Sequence, residues 1–214
     1  MKRVSCDTQI VKMADLVERQ VKLLSRVVGD LLDASNLAEN GIALQVAPVC
    51  LSQVVDTALD VFSAKARTRG QQIEVDFEAR TQPVLCDSDR VSQALANVLL
   101  NASEFSASGG RIALHVKVDG DLVEAEVADS GIGSPREQID KIFQPYTQFA
   151  SHNERIRSGA GLGLAIAKDI CEKHSGQIIA ASEGKGKGSR FRIILPIVDY
   201  SRTASICDGR SVIR

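Results

Sequence analysis

Tryptophan is absent from this 214-residue chain, and only two tyrosines and six phenylalanines are present. The apolar fraction of 44% is nevertheless that of an ordinary globular protein. Charge of one sign is missing too: the formal net charge is −1, which excludes bulk attraction to nucleic acid or to an anionic membrane. No apolar run approaches the length of a membrane span, and the opening "MKRVSCDTQI" is not a signal peptide. The five cysteines (Cys6, Cys50, Cys86, Cys171, Cys207) are scattered without a CxxC pair. That spacing argues against a metal centre or a disulfide framework, so a reduced, cytoplasmic compartment is the expectation. No internal repeat is found. The length suffices for one good core and a second small element.

From about Asp7 to Asn40 the sequence reads as a single long helix. Leu16, Val17, Val21, Leu24, Val27, Val28, Leu31 and Leu32 recur at three- and four-residue steps, with Glu18, Arg19, Lys22 and Arg26 between them. Asn40-Gly41 ends it, since both residues tolerate the left-handed conformation. Such a stripe either lies on its own domain's core or pairs with another helix. Its length and its place ahead of the globular part favour the partner helix.

A short extended piece, "IALQV", precedes Pro48 and a second helix with Leu51, Val54, Val55, Ala58, Leu59 and Phe62 on one face. Strands are expected at "QQIEVDF" and "PVLCD", and Asp87-Ser88 caps a helix from Asp89 to about Phe105. "RIALHVKV" and "LVEAEVAD" form a hairpin across Asp119-Gly120-Asp121. Gln144 to Ala160 is polar, breaks any period and reads as a mobile loop longer than a connector needs. A helix from about Leu162 to His174 comes next, then strands "QIIAAS" and "SRFRIILP" around the turn "EGKGKG", and a loosely held tail from Ile197.

Three segments carry chemistry. "NVLLNASEF" puts Asn97 and Asn101 on one helix face, while Leu95, Val98, Leu99 and Phe105 serve the core. The two amides either cap a neighbouring loop and face water, or offer carbonyl oxygens to a hydrated magnesium ion, which prefers hard oxygen ligands. In "DSGIGSP" Asp129 ends a strand. Its carboxylate can accept from an exocyclic amine such as adenine's, with Gly131 and Gly133 leaving room for a flat ring; the alternative is a plain strand-to-helix turn. "GAGLGL" opens a helix, so its backbone amides can face phosphate, or it is simply a tight helix start. The dinucleotide fingerprint does not match, because these glycines alternate and the acidic ribose ligand is missing.

The order of these pieces resembles the catalytic and ATP-binding domain of sensor histidine kinases, in the superfamily shared with gyrase, a heat-shock chaperone and MutL. "NVLLNASEF" looks like the asparagine box, "DSGIGSP" the first glycine box and "IFQPYTQF" the phenylalanine box. "GAGLGLAIAKDICEKHSGQI" looks like the second glycine box and "GKGKGSRFRIILP" the closing hairpin, the whole covering about Pro48 to Pro196. "FQPYTQFAS" followed by "RIRSGAGLGL" is most similar to hybrid kinases.

The resemblance implies an α/β (α+β) fold, a two-layer sandwich of a mixed sheet and helices known as the Bergerat ATP-binding fold, preceded by one long helix. It implies ATP and magnesium as cofactors, with a lid at about Gln144 to Ala160. By family position Asp129 binds the adenine amino group, Gly131 and Gly133 flank the base, and Asn101 holds magnesium with Asn97 beside it. Phe105, Gly159, Gly161, Leu162, Gly163 and Leu164 complete the nucleotide-binding set. In the ATP-hydrolysing branches the Asn97 position is typically glutamate, a base that activates water; an amide cannot take that proton, which argues for transfer over hydrolysis.

The resemblance also divides the chain. Residues 1–41 look like part of the dimerisation and phosphotransfer hairpin, 42–196 like the ATP-binding domain, and 197–214 like a tail. Expected partners are a response regulator or receiver domain, an acceptor hairpin, and a second copy in the full-length protein, with no nucleic acid.

Two departures stand out. The His-Glu-Leu-Arg type acceptor motif is not found ahead of the long helix, and His115, His152 and His174 lack acceptor context. The expectation is therefore an incomplete kinase, either a truncated piece or a product that lost its acceptor, acting on a missing or partner hairpin, with upstream membrane anchoring left open. Glu104 stands where the family usually has lysine or arginine reaching the phosphates, so weakened ATP binding is expected, with Lys141, Arg155 and Arg157 as substitute charges. The rival readings are a non-catalytic regulator that binds nucleotide weakly and pairs with an intact kinase, and a serine kinase acting on an anti-sigma antagonist.

Overall fold

The computed structural model describes residues 44–78, 80–147 and 161–197, together with Met13 and Gly29. The chain divides into two compact units, Met1–Gly41 and Ile42–Arg214. The expected helix from Asp7 to Asn40, most of the expected lid and the tail beyond Ile197 lie outside the described residues.

Within the second unit the order is β1 (Ala47–Cys50), α1 (Leu51–Thr68), β2 (Gln72–Phe77), β3 (Pro83–Cys86) and α2 (Ser88–Phe105). Then come β4 (Arg111–Asp119), β5 (Leu122–Asp129), a short α3 (Arg136–Ile139), α4 (Gly163–Lys173), β6 (Gln177–Ala181) and β7 (Arg190–Pro196). Five strands form one sheet in the order β2-β4-β5-β7-β6. The β2–β4 pair is parallel and the other pairings are antiparallel, so the sheet is mixed as expected.

Alternation decides which face of the sheet is covered. Ile112, Leu114 and Val116 of β4, Val123, Ala125 and Val127 of β5, and Phe191 and Ile193 of β7 are all buried. The intervening residues, such as His115, Glu124 and Arg192, form the more open face, where Arg192 reaches Glu124 at 3.7 Å. Against the buried face lies a helical layer in which α2 packs between α1 and α4. Helix α1 contributes Leu51, Val54, Val55, Ala58, Phe62 and Ala66, the three- and four-residue spacing of one helical stripe. Leu59, expected on that face, is only half-buried, one position off the stripe. Helix α2 contributes Val91, Leu95, Val98, Leu99 and Ala102. Removing apolar side chains of this size from water is worth about 1.5–3 kcal/mol each.

Local signals explain the ends. The Asp87 carboxylate accepts from the Arg90 N–H at 3.1 Å and so caps α2. The β4–β5 hairpin closes with Asp119 opposite Leu122 across Gly120-Asp121, as the turn residues predict. Two expectations need correction. The described part of "IALQV", Leu44 to Val46, lies outside the strand, which begins at Ala47 because pairing with β3 sets it, with Ala47 opposite Cys86. The Gln45 N–H, just outside that strand, goes instead to the Asp87 carboxylate at 2.7 Å. The second correction concerns cysteine, since Cys50 is disulfide-bonded, whereas Cys86 and Cys171 are free and buried.

Candidate nucleotide-binding site

Asp129 is the last residue of β5, and the turn leading out of the strand is shaped by contacts that exclude side chains. The Asp129 Oδ1 accepts from the Gly131 N–H at 2.8 Å and from the Ser189 N–H at 3.3 Å. Neither bond falls on Oδ2, which leaves that oxygen to accept from a ligand. Burial pushes the carboxyl above the ordinary aspartate range, and the two backbone donors pull it partly back.

Glycine at 131 is required by crowding. A Cβ there would lie 2.5 Å from the Phe105 carbonyl oxygen and 2.6 Å from Asp129 Oδ1. Gly133 has φ +63°, and a Cβ on it would strike the Gly184 carbonyl. The turn is also tied down on its other side, where the Ile132 N–H donates to the Phe105 carbonyl at 3.1 Å.

Helix α2 supplies the neighbouring wall. Asn97 is buried, at 7% exposure, and its Nδ2 donates to the Gly163 carbonyl at 3.1 Å. The amide therefore links α2 to the start of α4 and keeps Oδ1 as its remaining acceptor. Asn101, one turn on, is half-buried. Phe105 is half-buried at the helix end, outside the core where its sequence position predicts it; its carbonyl, rather than its ring, makes the contacts described here. Glu104 has a partner that its sequence neighbours do not supply: Lys65 Nζ of α1 donates to Oε2 at 3.0 Å, with both side chains largely covered.

Helix α4 opens at the glycine-rich segment without a side-chain cap. Its first N–H groups consequently have no partner within the helix. Gly161 has φ +71° and sits close under Thr147, and its carbonyl accepts from the Tyr146 N–H at 3.1 Å. Leu162 is 1% exposed, so its side chain belongs to the core and only its backbone can face a ligand. Leu164 and Gly163 are half-buried beside it. Gly159, Arg155 and Arg157 lie outside the described residues, whereas Lys141 is exposed in the turn after α3.

By its sequence "GKGKG" is a hairpin turn and nothing more. In the structure it braces the site. The Gly188 N–H donates to the Gly131 carbonyl at 3.1 Å, the Gly186 N–H to that of Ile132 at 2.6 Å, and a Cβ on Gly188 would collide with the Asp129 carbonyl. Ser182 Oγ accepts from the Ser134 N–H at 3.0 Å and donates to the Gly188 carbonyl at 2.7 Å. The bonds from Gly186 and Gly188 join backbone groups more than 50 residues apart, and no local spacing signals them. His115 pairs with Asp76 on the open sheet face at 2.9 Å, away from this turn.

Comparison with known proteins agrees with this geometry. Residues 86–199 match the family model "Histidine kinase-, DNA gyrase B-, and HSP90-like ATPase". Sensor histidine kinase ZraS of Klebsiella oxytoca is 36% identical over 200 residues, covering 91% of this chain and 40% of that protein. Circadian input-output histidine kinase CikA of Synechococcus elongatus is 34% identical over 175 residues, covering 81% of this chain and 23% of that protein. The chain thus spans well under half the length of these curated relatives. Among solved structures, full-length ShkA in complex with AMPPNP superposes with a TM-score of 0.69 at 28% identity, covering 82% of this chain and 36% of that one. The mycobacterial sensor histidine kinase MprB gives 0.62 at 29% identity, covering 71% of this chain and 98% of that one. On the family model and these relatives, the chain belongs to the histidine kinase-, DNA gyrase B- and HSP90-like ATPase family, among the catalytic domains of sensor histidine kinases.

Proposed function

We propose that residues 42–196 bind Mg-ATP and transfer its γ-phosphoryl group to a histidine on an acceptor helical hairpin, as the catalytic domain of a two-component sensor kinase. The observation that supports this most is Asp129: a half-buried carboxylate with one oxygen held by two backbone N–H groups and the other free of those bonds, followed in the turn by two glycines crowded against backbone. Oδ2 accepts from the adenine amino group, Gly131 and Gly133 leave space for the ring, and Phe105 flanks it. Backbone N–H groups at Gly161 to Leu164 face the phosphates, where the open amino end of α4 favours negative charge. Gly159 belongs to the same stretch.

The donor set fits a magnesium ion. Asn97 uses its nitrogen toward Gly163, which leaves Oδ1, and Asn101 on the next turn is half-exposed. Two neutral, hard oxygens suit an ion that keeps most of its water. Bound there, it neutralises charge on the phosphates. The transfer forms a bond from the acceptor imidazole nitrogen to the γ-phosphorus and breaks the bond to the β–γ bridging oxygen, releasing ADP. Residues of this chain contribute binding, orientation and exclusion of water, and neither asparagine can act as a base toward water.

Residues 1–41 then form part of the dimerisation and phosphotransfer hairpin, and 197–214 a tail. A second copy and a response regulator or receiver domain are the partners, and the cytoplasm is the compartment. Among the described residues no helix is long and apolar enough to cross a membrane. The test is to mix the chain with labelled ATP, magnesium and an acceptor hairpin from a relative. Acid-labile phosphohistidine on the hairpin supports the proposal. Acid-stable phosphoserine on an added anti-sigma antagonist would assign the domain to the other kinase class. Glu104 favours a second reading, a weakly binding regulator without catalysis, which predicts ADP binding but no label transfer.

A further inference from the structure

One imidazole holds the far ends of the two helices that carry the candidate site. Helices α2 and α4 pack side by side, and near the site Asn97 of α2 is bonded to Gly163 of α4. At the opposite end the Asp87 backbone N–H donates to His174 Nε2 at 3.0 Å, while His174 Nδ1 lies 2.8 Å from the Ile170 carbonyl oxygen. An imidazole that accepts at Nε2 and meets a carbonyl at Nδ1 is neutral, with its proton on Nδ1. The Asp87 carboxylate is committed elsewhere, Oδ1 to the Arg90 N–H and Oδ2 to the Gln45 N–H. Three segments therefore meet at one point: the segment leading into β1 at Gln45, the start of α2 and the end of α4.

We propose that His174 is a positioning residue for the nucleotide site. Acting through the Asp87 N–H, its imidazole keeps α2 and α4 in the alignment that joins Asn97 to Gly163. The proposal rests on the nucleotide reading above. Closely packed helices do not absorb a displacement at one end, so loss of the far clamp reaches the site as a relative tilt.

The ring is half-buried. An apolar cavity beside it is lined by Leu51 and Val54 of α1, Val91 of α2, Val123 of β5 and Leu195 of β7. From β3, the Cys86 thiol is pushed up to about 12 by burial and then by the Asp87 charge, so it stays neutral. On α4, Lys173 pairs with Asp169 at 2.9 Å and Glu172 with Lys168 at 3.7 Å. Both oxygens of the Asp87 carboxylate already accept, from the Arg90 and Gln45 N–H groups.

The test uses the full 214-residue chain as wild type, His174→Gln and His174→Leu. ADP affinity is measured by calorimetry, beside a melting curve for each protein. Glutamine can accept from Asp87 and donate to Ile170, so its variant should bind ADP within about twofold of wild type. The leucine variant can do neither and should bind about fivefold more weakly, the size expected from one hydrogen bond. Equal affinity in all three proteins overturns the proposal, as does a leucine variant that melts earlier yet binds ADP as wild type does. A glutamine variant as weak as the leucine variant overturns it too. Absence of heat from the wild type overturns the nucleotide reading and this proposal together.

Discussion

Adding a single methyl group at Gly131 should damage stability and nucleotide binding together. Its backbone is not among the positive-φ glycines, so alanine meets no conformational penalty there. The penalty is steric: the new Cβ would sit 2.5 Å from the Phe105 carbonyl oxygen and 2.6 Å from Asp129 Oδ1. Relief means moving the turn away from both, and that strains the bonds of Gly131 N–H to Asp129 at 2.8 Å and Ile132 N–H to Phe105 at 3.1 Å. A buried donor left unmet costs about 1–3 kcal/mol, and overpacking costs a similar amount, so a total near 3 kcal/mol is expected.

Gly70→Ala is the control, because Gly70 has φ +61° but open space around its missing Cβ. That change should cost about 1 kcal/mol through backbone strain alone. Chemical denaturation of both variants gives the comparison, and calorimetry with ADP gives the second readout. With Asp129 Oδ1 released from its backbone donor, affinity should fall at least about tenfold in Gly131→Ala, equivalent to about 1.4 kcal/mol, and remain unchanged in Gly70→Ala. If Gly131→Ala costs no more than the control and binds ADP within about twofold of wild type, the crowding account of the turn is wrong.

Asp129→Asn should separate stability from binding. The folded state raises this carboxyl's pKa, so it binds its proton more tightly than the unfolded chain does. Stability from that proton is present in acid and is lost as pH rises from the ordinary aspartate range through the raised folded value. Asparagine removes that loss, so the unliganded variant should melt higher than wild type at neutral pH, while its amide nitrogen opposes the adenine amine and weakens ADP binding. A variant that melts lower, or binds ADP unchanged, refutes this.

Glu104→Gln keeps the Lys65 hydrogen bond at 3.0 Å but removes a carboxylate from the candidate phosphate side of α2. ADP affinity should rise about three- to tenfold at low salt, with the gain shrinking near 0.15 M ionic strength, where the screening length is about 8 Å. Glu104→Lys should gain less, since it sets a second cation against Lys65. Equal affinities for all three at low salt would show that Glu104 does not sense the nucleotide.

Much of the fold and part of the site were legible from short-range rules, each acting within a few residues. Alternating apolar residues in "RIALHVKV" and "LVEAEVAD" require a strand pair with one covered face, and Gly120-Asp121 supplies the turn between them. Asp87 sits where a helix must begin. Asn97 and Asn101 share a face by helical geometry, and Asp129 ends a strand where glycines come next. Those constraints are local and survive in almost any tertiary setting.

Other features had no such signal. The strand at Ala47 depended on β3, and the pairing of Glu104 depended on Lys65, 39 residues earlier. His174 meets Asp87 through a backbone N–H, a group every residue but proline carries, so the partner's identity leaves no mark in the sequence. The same holds for Ser189 and Gly188 against the Asp129 turn. What the sequence alone determined was which segments are helix, strand and bend, and which side chains are candidates for chemistry. Tertiary packing decided which backbone donors surround Asp129, because hydrogen bonds between distant main-chain groups follow from topology and not from side-chain type.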